Sequence, residues 1–196
     1  WFARRFDVAK YNPNQGANKA LLGLQICQLL AIAMLMAGPS LVNWLMPESF
    51  APAANYIAIL TLLLVVKTHG ELFNLGCYAK QNARFVPLIN FTAAAVIIVC
   101  LALLPNLLGI NGVFYALLIG YITRAILFWR VSQQLQPLPY QVNTICKSWA
   151  AFLLAYACTL FAAPSYLIML PAAYLLLVTY QQHQPMWRKM FKVAYV

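Results

Sequence analysis

The chain has 196 residues, of which 64% are hydrophobic and 8% are charged, and its mean hydropathy is +0.75. These values exclude an ordinary soluble domain, because so much apolar surface cannot be buried in one core of this size. The net charge of +10 can indicate a nucleic-acid partner, but here the basic residues flank apolar segments instead of forming one stripe, so no nucleic-acid partner is expected.

Six apolar segments are long enough, or nearly so, to cross a bilayer as helices. Helix is required there because open strands leave backbone groups unpaired in lipid. The last two segments are short and form a hairpin, so re-entrant or interfacial placement stays open for them. Within the first, Gly38-Pro39 predicts a kink or the end of the regular helix. The six segments are 20–46, 52–77, 84–104, 111–130, 149–163 and 166–180.

Basic residues lie in alternate connectors between these segments, which is the positive-inside pattern of a multi-span membrane protein. The sequence therefore predicts an all-α, polytopic helical bundle of about six transmembrane helices, with both termini in the cytoplasm. Residues 1–19 are expected to form a cytoplasmic linker and 132–148 a cytoplasmic loop. Residues 149–181 contain the hairpin of two short spans, and 182–196 form an amphipathic tail suited to an anionic membrane surface.

The second segment carries the most unusual polar residues. Lys67, Glu71, Asn74 and Tyr78 fall on one face of a continuous helix, and His69 lies roughly opposite. Lys67 is about 16 Å from the end near Tyr78, where an unpaired charge is costly. These residues are interpreted either as part of a polar translocation cavity, with Glu71 or His69 as an ion-coupling site, or as a Lys67–Glu71 pair that neutralises itself and joins two helices.

Arg124 is the other charge inside an apolar segment. Its long stem permits the guanidinium to reach the headgroups, or it faces the same cavity, where it suits a phosphate. Other polar residues in the spans are expected either to line the interior or, more often, to form interhelical hydrogen bonds. They are Gln25, Gln28, Asn90 and Thr92.

Enzyme chemistry is not predicted. The sequence has no GxSxG, HExxH or phosphate-loop motif, no paired carboxylates, and only three acidic residues. Its five cysteines lack metal-ligand spacing and are interpreted as small buried side chains. No metal and no cofactor are therefore expected.

Several short motifs carry a resemblance to a known family. Gly109 and Gly112 allow a tight turn and close packing after a leucine-proline end of a span. A short basic loop with Lys80 and Arg84 precedes this span, and an alanine-proline pair starts the span before it. The motifs are Leu103-Leu104-Pro105, Leu108-Gly109-Ile110-Asn111-Gly112-Val113-Phe114-Tyr115-Ala116, Tyr78-Ala79 and Ala51-Pro52.

Together these motifs resemble the C-terminal part of an oligosaccharide flippase, a polysaccharide-biosynthesis export protein of the multidrug/oligosaccharidyl-lipid/polysaccharide exporter superfamily. The resemblance implies two helical bundles around a central cavity. Residues 20–131 would supply a four-helix part of the second bundle, and the chain, which starts at Trp1, is expected to be a piece that lacks the N-terminal transmembrane bundle.

The implied function is the movement of polyprenyl-diphosphate-linked oligosaccharide across the bacterial cytoplasmic (inner) membrane for surface polysaccharide synthesis. Lys67 and Arg124 are then candidates for binding the anionic headgroup, with Asn74 and Tyr78 in the same cavity, and Glu71 or His69 for ion coupling. The partners are this lipid-linked oligosaccharide and membrane lipids. Alternatives are an exporter of drugs or other lipid-linked precursors, a membrane-embedded glycan polymerase or ligase, and a purely structural membrane subunit.

Overall fold

A computed structural model describes residues 12–79, 84–161 and 165–194 of the chain. Within these ranges there is no β-strand, which confirms the all-helical part of the predicted fold. A 3₁₀ helix, Glu48–Tyr56, lies between the first two α-helices. The α-helices are α1 (Pro13–Leu45), α2 (Ile57–Leu72), α3 (Leu75–Ala79), α4 (Phe85–Leu108), α5 (Ile110–Leu135), α6 (Val142–Leu160) and α7 (Ser165–Ala194).

Four helical segments in the described part of the chain are long and apolar enough to cross a membrane. They correspond to the first four predicted spans, and the second of them joins the 3₁₀ helix, α2 and most of α3. The segments are Pro13–Leu45, Glu48–Tyr78, Phe85–Leu108 and Ile110–Leu135. The total of six spans and the cytoplasmic position of both termini stay predictions.

Two prolines do not end their helices. Helix α1 continues through Pro39 to Leu45, and α4 continues past Pro105 to Leu108. In an apolar environment no water replaces a lost backbone hydrogen bond, so a helix that contains one proline keeps its other hydrogen bonds and continues. Proline therefore marks the end of a span here less sharply than it would in a soluble protein.

The chain divides into two compact units. The first contains the described residues up to Leu24 together with Ile59–Tyr140, and the second contains Gln25–Ala58 and the described residues from Gln141 onward. In the first unit α4 packs against α5, and α3 also packs against α5. In the second unit α6 packs against α7.

The hairpin of α4 and α5 depends on small residues. Gly109 joins the two helices with a φ of 58°, a left-handed conformation that glycine adopts without steric cost. Gly112, Ala116 and Gly120 follow at intervals of four residues and are all buried. A Cβ atom on Gly120 would collide with the side chain of Ile97. The two helix backbones therefore approach closely along this line of small residues.

Helix α4 turns most of its surface away from the rest of the chain. Only Ile89 and Ala93 are buried on it, whereas large apolar side chains elsewhere on α4 are well exposed. Such a helix is unsuited to water but suited to lipid or to contact with further membrane helices. The exposed residues include Leu88, Phe91, Ile98, Val99, Leu103 and Leu107.

Candidate functional site

The second membrane segment is not one continuous helix. Helix α2 ends at Leu72, Phe73 and Asn74 are not helical, and α3 begins at Leu75. The backbone N–H of Gly76 donates a hydrogen bond to Ser132 Oγ of α5, at 2.8 Å. In a continuous helix this N–H would bond to the carbonyl of Leu72. The hydroxyl of Ser132 thus replaces a hydrogen bond of the helix, which explains how the break is tolerated among apolar residues.

This break changes the geometry that the sequence suggested for the polar residues. Lys67 and Glu71 lie on α2, Asn74 lies in the break, and Tyr78 lies on α3. The expected alignment of all four residues assumed an unbroken helix from 52 to 77. That continuity was wrong, because a side chain of α5, Ser132, takes over the backbone hydrogen bond at Gly76.

Glu71 forms an ion pair with Arg124 of α5. The distance between Arg124 Nη1 and Glu71 Oε1 is 3.6 Å. The Arg124 side chain is 21% exposed and the Glu71 side chain is 38% exposed. The neighbouring Gly70 faces Ala125, and a Cβ on Gly70 would lie 3.4 Å from the Cα of Ala125. This close approach of α2 and α5 brings the carboxylate within reach of the guanidinium.

Arg124 is held by a third helix as well. Its Nε donates a hydrogen bond of 2.9 Å to Asn90 Oδ1 on α4. Its guanidinium also lies over the ring of Phe128, 5.2 Å from the centroid, where a cation is attracted by the ring electrons. We call Glu71, Asn90 and Arg124 the charged network. Asn90 thus serves as an interhelical hydrogen-bond partner, one of the two roles expected for it.

The other predicted site residues lie in different surroundings. Lys67 is exposed, so its ammonium does not contribute to a closed site within this chain. His69 stacks on Phe73, with the ring centroids 4.4 Å apart. Phe73 is fully buried and also contacts the rings of Trp129 and Tyr140, at 5.2 and 4.6 Å. His69 therefore belongs to an aromatic cluster of the first unit.

Asn74 and Tyr78 lie close to the core of the first unit. Asn74 is 5% exposed, and among the described residues its Oδ1 accepts no hydrogen bond. Tyr78 is half-buried and packs against the cluster of Cys77, Ile89 and Phe128. From the predicted set, the structure therefore brings Glu71 and Arg124 together, and Tyr78 packs against the cluster that contains Phe128, the aromatic neighbour of Arg124.

Two participants in this site were not identified from the sequence. Phe128, four residues after Arg124, lies on the same face of α5 and contacts the guanidinium, so helical spacing could have indicated it. Ser132 is fully buried, and only tertiary structure shows that it accepts the Gly76 N–H. Within the ranges that the structure describes, no group of three or more His, Cys, Asp or Glu residues could hold a metal ion.

The arrangement is suited to binding rather than to covalent chemistry. A guanidinium has five N–H donors and keeps its positive charge at all accessible pH values. One donor of Arg124 is committed to Asn90 and another faces Glu71 across a long contact. The Arg124 side chain is 21% exposed, so the described residues do not enclose it completely.

Comparisons with protein-family models, with curated proteins and with solved structures found no match to this chain.

Proposed function

We propose that this chain is the C-terminal part of a membrane transporter that moves polyprenyl-diphosphate-linked oligosaccharide across the bacterial cytoplasmic membrane. The observation that carries the proposal is the partly exposed Arg124–Glu71 pair within membrane-spanning helices. The sequence motifs around Pro105, Gly109 and Gly112 support the family. The drug-exporter and polymerase alternatives have no specific support in the geometry.

The position of Arg124 along α5 is the first step of the argument. It lies 14 residues after Ile110 and 11 before Leu135, hence about 21 and 16 Å from the two helix ends at 1.5 Å per residue. The hydrocarbon layer is about 30 Å thick. The fourth apolar segment ends at Arg130, six residues or about 9 Å from Arg124, which places Arg124 inside the hydrocarbon layer.

A partly exposed charge at that depth requires polar surroundings. Placing Arg or Glu in the hydrocarbon centre costs at least about 2.5–3.5 kcal/mol per residue on insertion scales. Pairing with Glu71 reduces this cost but leaves both side chains partly exposed. We therefore infer that this face of α2 and α5 borders a water-filled cavity, completed by transmembrane helices outside this chain.

The chemistry of the charged network suits the proposed substrate. A diphosphate and a sugar cannot cross hydrocarbon unaided, and a planar guanidinium binds phosphate oxygens in a bidentate manner. Asn90 fixes the orientation of Arg124 from one side, which leaves its other N–H groups for the headgroup. The lipid tail stays in the bilayer while one bundle rocks against the other.

Substitution of Arg124 in the gene for the full chain tests this function in cells. We expect Arg124→Ala to lower the rate at which surface polysaccharide appears about tenfold or more, with lipid-linked precursor accumulating, because one charge-assisted bond to the headgroup is lost. Arg130→Ala, six residues further along the same helix and exposed, is the matched control. Normal polysaccharide in Arg124→Ala at unchanged protein level would overturn the proposal.

A second function is favoured by one observation: every member of the charged network has a partner within the chain. In this case the charged network stabilises the packing of α2, α4 and α5 in a structural membrane subunit. Glu71→Leu/Arg124→Met, which removes both charges, separates the two functions. If the network only stabilises helix packing, the double variant keeps its function. If the network lines a transport cavity, the double variant loses transport.

A further inference from the structure

The second unit contains polar side chains in its interior. Gln25 and Gln28 on α1 are both completely buried. They are three residues apart, so they lie on the same face of the helix. Because the residues of this chain already cover both side chains, no additional helix or subunit has access to them.

Helix α7 and the start of α6 supply the partners of this face. Gln25 Nε2 donates a hydrogen bond to Gln182 Oε1, at 3.4 Å. Gln182 Nε2 in turn donates to Gln141 Oε1, at 2.9 Å. His183, next in sequence to Gln182, is 5% exposed. We call Gln25, Gln28, Gln141, Gln182 and His183 the polar seam.

Several atoms of the polar seam have no hydrogen-bonding partner among the described residues. They are Gln25 Oε1, both polar atoms of the Gln28 amide, and His183 Nε2. Moving such a group from water into an apolar interior without a hydrogen-bonding partner costs free energy, because nothing there replaces its hydrogen bonds to water. Four of them in one unit require a ligand that hydrogen-bonds to them.

The chemical character of these atoms identifies the ligand. The amide of Gln28 presents both a donor and an acceptor, and Gln25 adds a further acceptor. A metal cation would satisfy only the acceptors, and an anion only the donor. Water satisfies both, and a buried water typically makes about three hydrogen bonds to such groups.

We propose that the polar seam is a hydration site, in which ordered water molecules hydrogen-bonded to Gln25, Gln28 and His183 join α1 to α7. The inference is independent of the transport function, because none of these residues belongs to the charged network.

Water itself is the probe in the first experiment. Water-edited solid-state NMR on the full chain in bilayers measures how fast magnetisation passes from water to each side chain. We expect the Gln28 amide to receive it nearly as fast as the exposed Gln134 and much faster than Ala155, which is fully buried. A transfer to Gln28 as slow as that to Ala155 would show a dry seam and overturn the proposal.

The sign of a stability change gives a second, separate test. In a dry seam, Gln28→Met removes two unpartnered polar atoms and raises the thermal midpoint. In a hydrated seam, the same change removes partners of the bound water and lowers the midpoint by about 4 °C. Gln134→Met is the control and is expected to leave the midpoint unchanged. An increase for Gln28→Met contradicts the hydration site.

Discussion

The charged network of the first unit and the polar seam of the second unit differ in the charge and the burial of their side chains. In the first, full charges are used, and Glu71 and Arg124 both stay partly exposed while they bond to each other and to Asn90. In the second, the side chains of the polar seam are neutral amides and one histidine, and three of them, Gln25, Gln28 and His183, are almost completely buried. A charge is too costly to bury dry, whereas a neutral amide needs only hydrogen-bonding partners. The two proposals follow this difference: the charged network borders a polar cavity, and the buried amides of the polar seam bind water.

The largest expected effect comes from breaking the charged network one member at a time. Arg124→Met leaves Glu71 and Asn90 Oδ1 without their cationic partner, so we expect a loss of about 1–3 kcal/mol in stability. Glu71→Leu/Arg124→Met removes both charges and is expected to recover to within about 1 kcal/mol of the parent. A double-mutant cycle by thermal unfolding in detergent measures this recovery.

The transport activity of the same double variant separates a role in binding from a role in stability. We expect transport to stay lost even when stability recovers, because the double variant lacks the guanidinium that we propose as the headgroup ligand. Exposed Arg130 again provides the control, as Arg130→Met changes the charge without touching the network. Recovery of transport together with stability would assign the network to fastening helices and not to the cavity.

A second prediction concerns the packing of α4 against α5, which carry Asn90 and Arg124 of the charged network. Gly120→Leu forces a side chain into the space of Ile97, so α4 must move away from α5. We expect about 1–3 kcal/mol of destabilisation, measured by thermal unfolding, and a weaker bond between Asn90 and Arg124. Ile119→Leu, one residue earlier and exposed, is the control and should be neutral. Equal stability of the two variants would contradict the close packing of this hairpin.

A third prediction concerns the break between α2 and α3. Ser132→Ala removes the acceptor for the Gly76 N–H and leaves that buried donor unpaired, at a cost of about 1–2 kcal/mol. Ser132→Thr keeps the hydroxyl and provides the comparison, although its extra methyl group needs space. Hydrogen exchange of the Gly76 amide is the sensitive measurement. Unchanged protection in Ser132→Ala would mean that the hydroxyl does not hold the break.

The smallest expected effect is a pH dependence in the second unit. Burial lowers the pKa of His183, which lies outside the four candidate spans. The unfolded chain, whose histidines have a pKa of about 6.5, then binds a proton more readily than the folded chain. Stability contributed by neutral His183 is therefore present above that pH and is lost as the pH falls below it.

His183→Gln isolates this contribution, because glutamine cannot titrate. Thermal midpoints of both chains at pH 7.5 and pH 5.5 are compared, and the parent is expected to lose more on acidification than the variant. Other titrating groups contribute equally to both chains and cancel in the difference. An identical loss in the two chains would show that the seam does not hold His183 in its neutral form.

Much of the fold follows from the sequence because lipid leaves few alternatives. The first four apolar segments follow from the hydropathy along the chain, with ends that differ from the structure by one to seven residues. Pro105 was an unreliable boundary signal, because α4 continues past it to Leu108. The break at Phe73 and Asn74 was missed, because the hydroxyl that accepts the freed backbone hydrogen bond is on Ser132, 56 residues after Gly76 in the chain.

Hydropathy and helical spacing suffice to predict an apolar helical protein with a few polar residues inside its apolar segments. Hydropathy and helical spacing are local properties, and they suffice to mark Glu71, Arg124, Gln25 and Gln28. Their partners are visible only in the tertiary structure, where Arg124 pairs with Glu71 and Gln182 accepts a hydrogen bond from Gln25. The physical reason is that hydrogen bonds and ion pairs depend on distances between helices, and those distances are fixed by packing of small residues far apart in sequence.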